Sequence, residues 1–274
     1  MTPYDVIIGA SGQDGTILSD IYAKMNRKVI LVSRSVPKNL SKHALFFCVD
    51  LKQDTKLIDL LKQYPINNVY YLAAEHDTQT QFAKLNDYNA KLINFVVPKR
   101  VLTTLSEYQP QAKFFYASSK LVFQKLDGNY SDLNPRRFDN AYSMWKNEFE
   151  IFVDGLSKSI KLISIFWLSN HDSIYRKDQL LLPRIAKYLA HQIFHNDKRS
   201  HSELKVENDW GDAHEFMKII YEFMTGTEKS GLHKQFLSNF NVCNVDQIMN
   251  ELLNHGCSYE TDLNSYKPSY NLTQ

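Results

Sequence analysis

The sequence predicts an α/β protein built on a doubly wound parallel sheet, with a smaller, mostly helical lobe toward its carboxyl-terminal end. Three observations carry this. Strand and helix signals alternate through the first two thirds of the 274 residues, the pattern of a parallel sheet covered by helices on both faces. A glycine turn, Gly9-Ala-Ser-Gly12-Gln-Asp-Gly15, lies directly between the first strand and the first helix, the context in which such a motif has meaning in a Rossmann-type sheet. Gly9, Ser33, Ala74 and Ser119 each follow a strand, and ligands of such sheets bind beyond the carboxyl ends of the strands.

Taken in order, Tyr4 to Ile8 is a short buried strand, and Gly15 to Arg27 follows as a helix whose apolar Ile17, Leu18, Ile21, Tyr22 and Met25 share one face. Strands are expected at Lys28 to Ser33 and Ala44 to Val49, then a helix through Leu57, Leu60, Leu61 and Tyr64 and a strand at Asn68 to Ala73. Asp87 to Ser106 is helical with a kink at Pro98, whose ring removes a backbone donor. Lys113 to Ala117 is a strand, Tyr142 to Ser157 a helix and Lys161 to Leu168 a strand. From Asn170 onward the alternation weakens into helices at Leu181 to Ala190, Asp212 to Met224 and Val245 to Leu253. The tail after Gly256, rich in Ser, Tyr and Asn, has the composition of a partly disordered segment. The expected division is residues 1–169 as a cofactor-binding domain and 170–274 as a substrate-binding lobe.

Composition excludes several classes. A net charge of +2 gives no basic surface for nucleic acid and no acidic tail. The first residues lack a basic leader and a small-residue cleavage site, and apolar runs such as Ile160 to Leu168 are too short to span a bilayer. Cys48, Cys243 and Cys257 are far apart, and the histidines show no paired-ligand spacing, so no metal site is expected. The thiols read as reduced, and the expected compartment is the cytoplasm.

The chemistry rests on Tyr142 and Lys146. Four residues apart, they share a helix face about one turn apart, so an ammonium can lie beneath a phenol. A nearby positive charge favours the phenolate and turns a poor neutral-pH acid or base into a useful one. Alone the pair means little in a chain with 16 Tyr. With Ser119 upstream and the glycine turn, it specifies hydride chemistry on a nicotinamide cofactor. The glycines permit a tight turn and close backbone approach to a pyrophosphate, and the helix amino terminus supplies N–H groups and positive dipole. After the second strand, where an NAD binder places an acid against the ribose hydroxyls, stands Val32-Ser33-Arg34-Ser35. Arg34 suits a 2′-phosphate, so NADP(H) is preferred and NAD(H) stays open; an ordinary surface arginine is the alternative. Asp50 either touches the adenine or caps the helix that begins nearby.

The spacing of these residues resembles the extended short-chain dehydrogenases/reductases, the NAD-dependent epimerase/dehydratase family. Gly12-Gln-Asp-Gly15, Tyr71-Leu-Ala-Ala74, Asp132-x-x-Pro135, Asn170-His-Asp-Ser173 and Asp209-Trp-Gly211 are similar to its GDP-mannose 4,6-dehydratase branch. The resemblance covers roughly residues 4–253. It implies Ser119 as the hydroxyl that holds a substrate oxygen, Tyr142 as acid or base, and Lys146 as the group that orients the ribose and tunes Tyr142. It implies a cofactor site of Gly9, Ser11, Gly12, Gln13, Asp14, Gly15, Arg34, Asp50, Leu51, Leu72, Ala73 and Ala74 together with Tyr142 and Lys146. Asn170 and Arg184 join Ser119 as substrate contacts, and a homodimer or higher homo-oligomer is expected.

Departures from the family pattern narrow the function. The dehydratase motif Ser-Thr-x-Glu supplies a glutamate that removes the proton alpha to a transient ketone; aligned through Ala117-Ser-Ser-Lys-Leu121, that position holds Leu121, which cannot take a proton. Glu75 or Asp172 are the candidate substitutes. Asn208 stands where an arginine commonly precedes Asp-Trp-Gly and holds the nucleotide diphosphate, and the chain after Trp210 is shorter than in the dehydratases. The expected function is therefore NADP(H)-dependent reduction of a 4-keto-(6-deoxy)hexose on a nucleotide carrier. The alternatives are a 4,6-dehydratase or epimerase with a substitute base, and a non-catalytic NADP(H)-binding protein.

Overall fold

The computed structural model describes residues 2–37, 40–75, 87–156, 160–177, 180, 182–183, 185–187, 208–226, 229–239, 242–243 and 247. The expected helices at 181–190 and 245–253 fall largely on residues outside these, as do Arg184 and the tail after Gly256.

Seven strands form one parallel sheet. In chain order they are β1 (Tyr4–Ile8), β2 (Val29–Ser33), β3 (Ala44–Cys48), β4 (Ile66–Tyr71), β5 (Lys113–Ser119), β6 (Leu162–Leu168) and, after a gap, β9 (Gly231–Leu237). Their spatial order is β3-β2-β1-β4-β5-β6-β9, every neighbouring pair parallel. The chain runs outward from β1 to β3, then crosses back to β4 on the other side, so the switch point lies between β1 and β4. β2 (VILVS) and β6 (LISIFWL) are buried at every position, as strands covered on both faces must be. The helices with bounds inside the described residues are α1 (Gln13–Lys24), α2 (Thr55–Gln63), α3 (Tyr88–Lys91), α4 (Val97–Tyr108), α5 (Ala141–Asp154) and α6 (Ala213–Thr225). One apolar cluster runs from Val6 and Ile30 through Leu57, Leu61 and Val101 to Tyr116 and Phe149.

The sequence expectation of helices alone after residue 170 needs correction. β9 returns to the main sheet beside β6, and a separate three-stranded sheet forms from β7 (Asn170–Asp172), β8 (Asn208–Asp212) and β10 (Val242–Cys243). β9 escaped notice because it is an edge strand: its middle residues His233, Lys234 and Gln235 need not be apolar, and Lys234 pairs with Asp154 at 2.6 Å. The described chain divides into two compact units, residues 1–168 with 217–237 and residues 169–216 with 238–274, so the carboxyl-terminal third is not one contiguous lobe. Within the second unit Gly211 is required by packing, since a Cβ there would lie 2.5 Å from the Phe216 ring, which also stacks on His171. Among the described residues no helix is long and apolar enough to cross a membrane.

The expected kink at Pro98 takes a definite form. Between α3 and α4 the chain makes a five-residue π turn, Leu92–Val96. Pro98 has no N–H to give the carbonyl of Asn94, one turn back, and the Tyr116 hydroxyl donates to that carbonyl instead at 2.8 Å. Tyr71 does the same for Ile93 at 2.6 Å. Burial pushes the ionisation of both phenols well above the ordinary tyrosine value, so they remain donors throughout the neutral range. The turn also directs the fully buried Asn94 side chain at the backbone of Glu75, bonding its N–H at 3.1 Å and its carbonyl at 2.9 Å. The segment after β4 is thereby held in place. Replacing Tyr116 by Phe removes one hydroxyl and strands a buried carbonyl; we expect a loss of about 1–3 kcal/mol in urea denaturation with the fold retained.

Candidate active site

The turn after β1 is closed by contacts that only glycine allows. Gly9 has φ +95°, and a Cβ on it would lie 2.8 Å from the Ala73 amide nitrogen. The missing side chain therefore lets the end of β1 touch the end of β4 across the switch point. A Cβ on Gly15 would fall 2.3 Å from the Gly9 carbonyl oxygen, so α1 can pack against the turn only with glycine there. Gly12 differs: a Cβ would meet only the Gly9 carbonyl at 3.3 Å, which leaves its other side open to an incoming group. Helix α1 starts after Gly12 with no side-chain cap, so its dipole and first amides are presented at the turn. These features fit the pyrophosphate of a dinucleotide. Ser11 is exposed, while Gln13 and Asp14 are half-buried and bonded to each other at 3.1 Å.

Beyond β2, the Ser33 hydroxyl donates to the Ser35 carbonyl at 2.7 Å and shapes the turn that presents Arg34, which is exposed. Asp50 is the cap of the short 3₁₀ turn Leu51–Gln53, accepting from the Lys52 N–H at 3.0 Å. Of its two sequence readings, the structure shows the cap. Leu51 packs against the main core. Leu72 and Ala73 are half-buried and Ala74 exposed, with the Leu72 N–H held by the Ile8 carbonyl at 2.9 Å.

Ser119, Tyr142 and Lys146 gather where β5 ends under α5. Ser119 is buried; its Oγ accepts from the Leu121 N–H at 3.2 Å, capping the 3₁₀ turn Lys120–Val122. Accepting uses a lone pair and leaves the hydroxyl proton for another oxygen. Asn140 caps α5 through the Ser143 N–H at 2.9 Å, which puts Tyr142 in the first turn and half-buried. Lys146, one turn on, is only 1% exposed. Its Nζ donates to the Ala117 carbonyl at 2.7 Å and lies 4.6 Å from the Tyr116 ring centre and 5.2 Å from that of Tyr142. The Lys146 side chain thus lies alongside the Tyr142 ring, with its Nζ 5.2 Å from the ring centre. Burial pushes the Lys146 ammonium down to about 7, opposed by the charge of Glu150.

Sequence reading missed the groups that hold this arrangement. The Glu150 carboxylate, 1% exposed, accepts from Ser118 Oγ at 2.6 Å and Trp167 Nε1 at 3.0 Å, and pairs with Arg136 at 2.8 Å. Asn147 donates to the carbonyls of Val122 and Arg137 at 3.0 and 2.8 Å. Glu150 follows Lys146 by four, a spacing visible in the sequence; nothing there paired it with Arg136. Trp167 is a core residue, as its place in a strand suggested, and Trp145 stacks on Phe95 at 5.8 Å. Asn170 opens β7 in the second compact unit, paired in register with Trp210, and Arg184 lies outside the described residues.

A family model for the NAD dependent epimerase/dehydratase family matches residues 6–242. The chain belongs to that family. Among curated proteins none matches. Solved structures share the fold at low identity. A UDP-glucose 4-epimerase from Thermotoga maritima, with UDP-glucose, is 14% identical over 92% of this chain and 82% of its own, with a TM-score of 0.75. A Thermus thermophilus UDP-glucose 4-epimerase with NAD gives 13%, the same coverage and 0.75. A dTDP-glucose 4,6-dehydratase from Bacillus anthracis, with NAD, gives 14%, 92%, 80% and 0.73. In this family member, as elsewhere, a lysine out of water costs stability. Below about pH 7 both folded and unfolded chains carry the charge; between about 7 and 10.5 the folded chain has released the proton and the unfolded chain has not. Stability contributed by Lys146 should therefore rise with pH through that window, by up to about 1.4 kcal/mol per pH unit relative to Lys146→Met. Denaturation of both proteins at pH 6, 8 and 10 checks this, and a pH-independent difference would refute it.

Proposed function

We propose that the chain reduces the keto group of a nucleotide-activated 4-keto-(6-deoxy)hexose with NADPH. Support comes chiefly from one combination: the chain carries a hydroxyl, a phenol and a lysine suited to carbonyl chemistry, and Leu121, bonded through its N–H to Ser119, stands where the family resemblance would put an eliminating enzyme's carboxylate. NADPH would supply hydride to the carbonyl carbon. Ser119 donates to the carbonyl oxygen, Tyr142 donates the proton that oxygen takes up, and Lys146 holds the phenol in an electropositive setting. Of the two candidate substitute bases, Asp172 is paired with Arg176 at 2.7 Å.

Arg34, exposed at the end of β2 with no acidic residue from Val32 to Ser35, supports a 2′-phosphate and hence NADP(H). A second reading is 4-epimerisation, because oxidation and re-reduction at one carbon need the same three residues and no further base, and similar structures are named as UDP-glucose 4-epimerases.

Incubation with nucleotide sugars in both their 4-keto and their 4-hydroxy forms separates the readings. Reduction consumes NADPH stoichiometrically; epimerisation interconverts sugars with no net change in cofactor. Tyr142→Phe should lower turnover about 10²–10⁴-fold while cofactor affinity stays within a few fold. Turnover that survives this change would remove Tyr142 from the chemistry. Arg34→Glu should reverse the preference between NADPH and NADH in equilibrium binding; an unchanged ratio would assign Arg34 to the plain surface.

A further inference from the structure

Three residues from three parts of the first unit converge on the carboxylate of Glu150. Ser118 comes from the end of β5, next to Ser119. Trp167 comes from β6, Arg136 from the segment joining β5 to α5, and Glu150 itself from α5, one turn beyond Lys146 and two beyond Tyr142. Asn147 adds a second strand to the knot, accepting from Arg136 at 3.1 Å through Oδ1 and holding the carbonyls on either side of the Phe123–Arg136 bridge. The Arg136 guanidinium is stacked over Phe123 at 4.2 Å and over Trp167 at 5.2 Å, so it cannot swing away without leaving two rings.

We propose that Glu150 is a positioning residue for the reacting groups: bonded to Ser118, Trp167 and Arg136 and standing one helical turn from Lys146, it fixes α5 to the end of β5 so that Lys146 and Tyr142 stand in register with Ser119, and it sets a buried negative charge on the same helix face as that lysine. This rests on the hydride-transfer reading above, but its test does not. Burying an isolated carboxylate is costly, and a structural role alone would be met by an apolar side chain of similar volume. A carboxylate with donors from Ser118, Trp167 and Arg136 is a fixed anion, which an apolar residue cannot replace. Among the described residues, Tyr116 from β5 and Tyr142 from its own helix lie against Lys146, the Ala117 carbonyl accepts from it, and Glu150 stands one turn on, while Lys91 from α3 lies over Trp145 at 4.9 Å. Arg136 is turned to Glu150. Glu150 is the one carboxylate identified as raising the Lys146 affinity for a proton.

The test is a direct titration of Lys146 by NMR of protein carrying ¹³Cε-lysine, assigned with Lys146→Met, in the wild type and in Glu150→Gln. The amide keeps the shape and accepts from Ser118 and Trp167 but carries no charge. We expect the Lys146 midpoint to fall by about one pH unit or more, as expected when a buried opposite charge is lost. NADPH affinity at pH 7 should weaken several fold, and the alkaline limb of any turnover profile should move down with the midpoint. If Glu150→Gln alone does not fold, Glu150→Gln with Arg136→Met removes both charges, leaves no unpaired buried ion and is expected to give the same direction of shift. An unmoved midpoint in a folded variant overturns the proposal, whatever the activity. A moved midpoint in a protein that turns over no keto sugar would keep it and discard the reductase reading instead.

Discussion

The candidate site depends on an ammonium taken out of water. Lys146 is enclosed, with the Ala117 carbonyl as its hydrogen-bond acceptor and tyrosine rings on two sides. That is a weak environment for a full charge, and the depression of its proton affinity expresses the weakness. The same environment gives the charge its effect: in a low-dielectric setting an ammonium next to a phenol alters the phenol's acidity far more than it would in water. The position is stabilised from outside, by Glu150 and the donors around it, so the reactive groups and the polar knot behind them form one unit. Its stability cost and its chemistry have a single cause.

A second constraint works at the switch point. Because β1 and β4 are neighbours whose connections leave in opposite directions, their carboxyl ends open a crevice, and Gly9 lets the two ends meet there without a side chain between them. The far wall is fixed by the π turn, whose freed carbonyls are taken by Tyr71 and Tyr116 and whose Asn94 holds Glu75. Tyr116 takes part in both systems: its hydroxyl bonds the π turn and its ring faces Lys146. The wall of the crevice and the reacting groups are therefore mechanically linked through one side chain.

Much of this was legible in the sequence, and the reasons differ by residue. β2 and β6 were clear because continuous burial forces continuous apolarity. The glycine turn was clear because backbone approach excludes every other residue type, and Tyr142 with Lys146 because helix geometry converts a spacing of four into a shared face. β9 was not legible, since an edge strand carries half the burial and Lys234 satisfies a partner on α5. The Glu150 and Arg136 pair was not legible either, because Arg136 lies in the irregular segment before α5 while Glu150 lies inside that helix, and no periodicity relates a loop to a helix. The π turn lay between: Pro98 announced a break, but which carbonyls it freed and what took them required the tyrosines of two strands.

Leu121 remains the residue that most constrains what the site does. Elimination of a hydroxyl next to a ketone needs a base within reach of the alpha carbon, and the turn that follows Ser119 offers Lys120 and Leu121 instead. Lys120 is buried, its ammonium 5.3 Å from the Tyr130 ring centre, so the local charge is positive where a base would need to be negative. With lysine and leucine there, no side chain of that turn can receive an alpha proton, whereas hydride addition at the carbonyl carbon needs only groups such as Ser119 and Tyr142 to meet the developing charge on oxygen. On the function proposed above, Leu121 withholds the proton-accepting step of an elimination and leaves hydride transfer untouched, so the same three residues serve reduction or epimerisation but not dehydration.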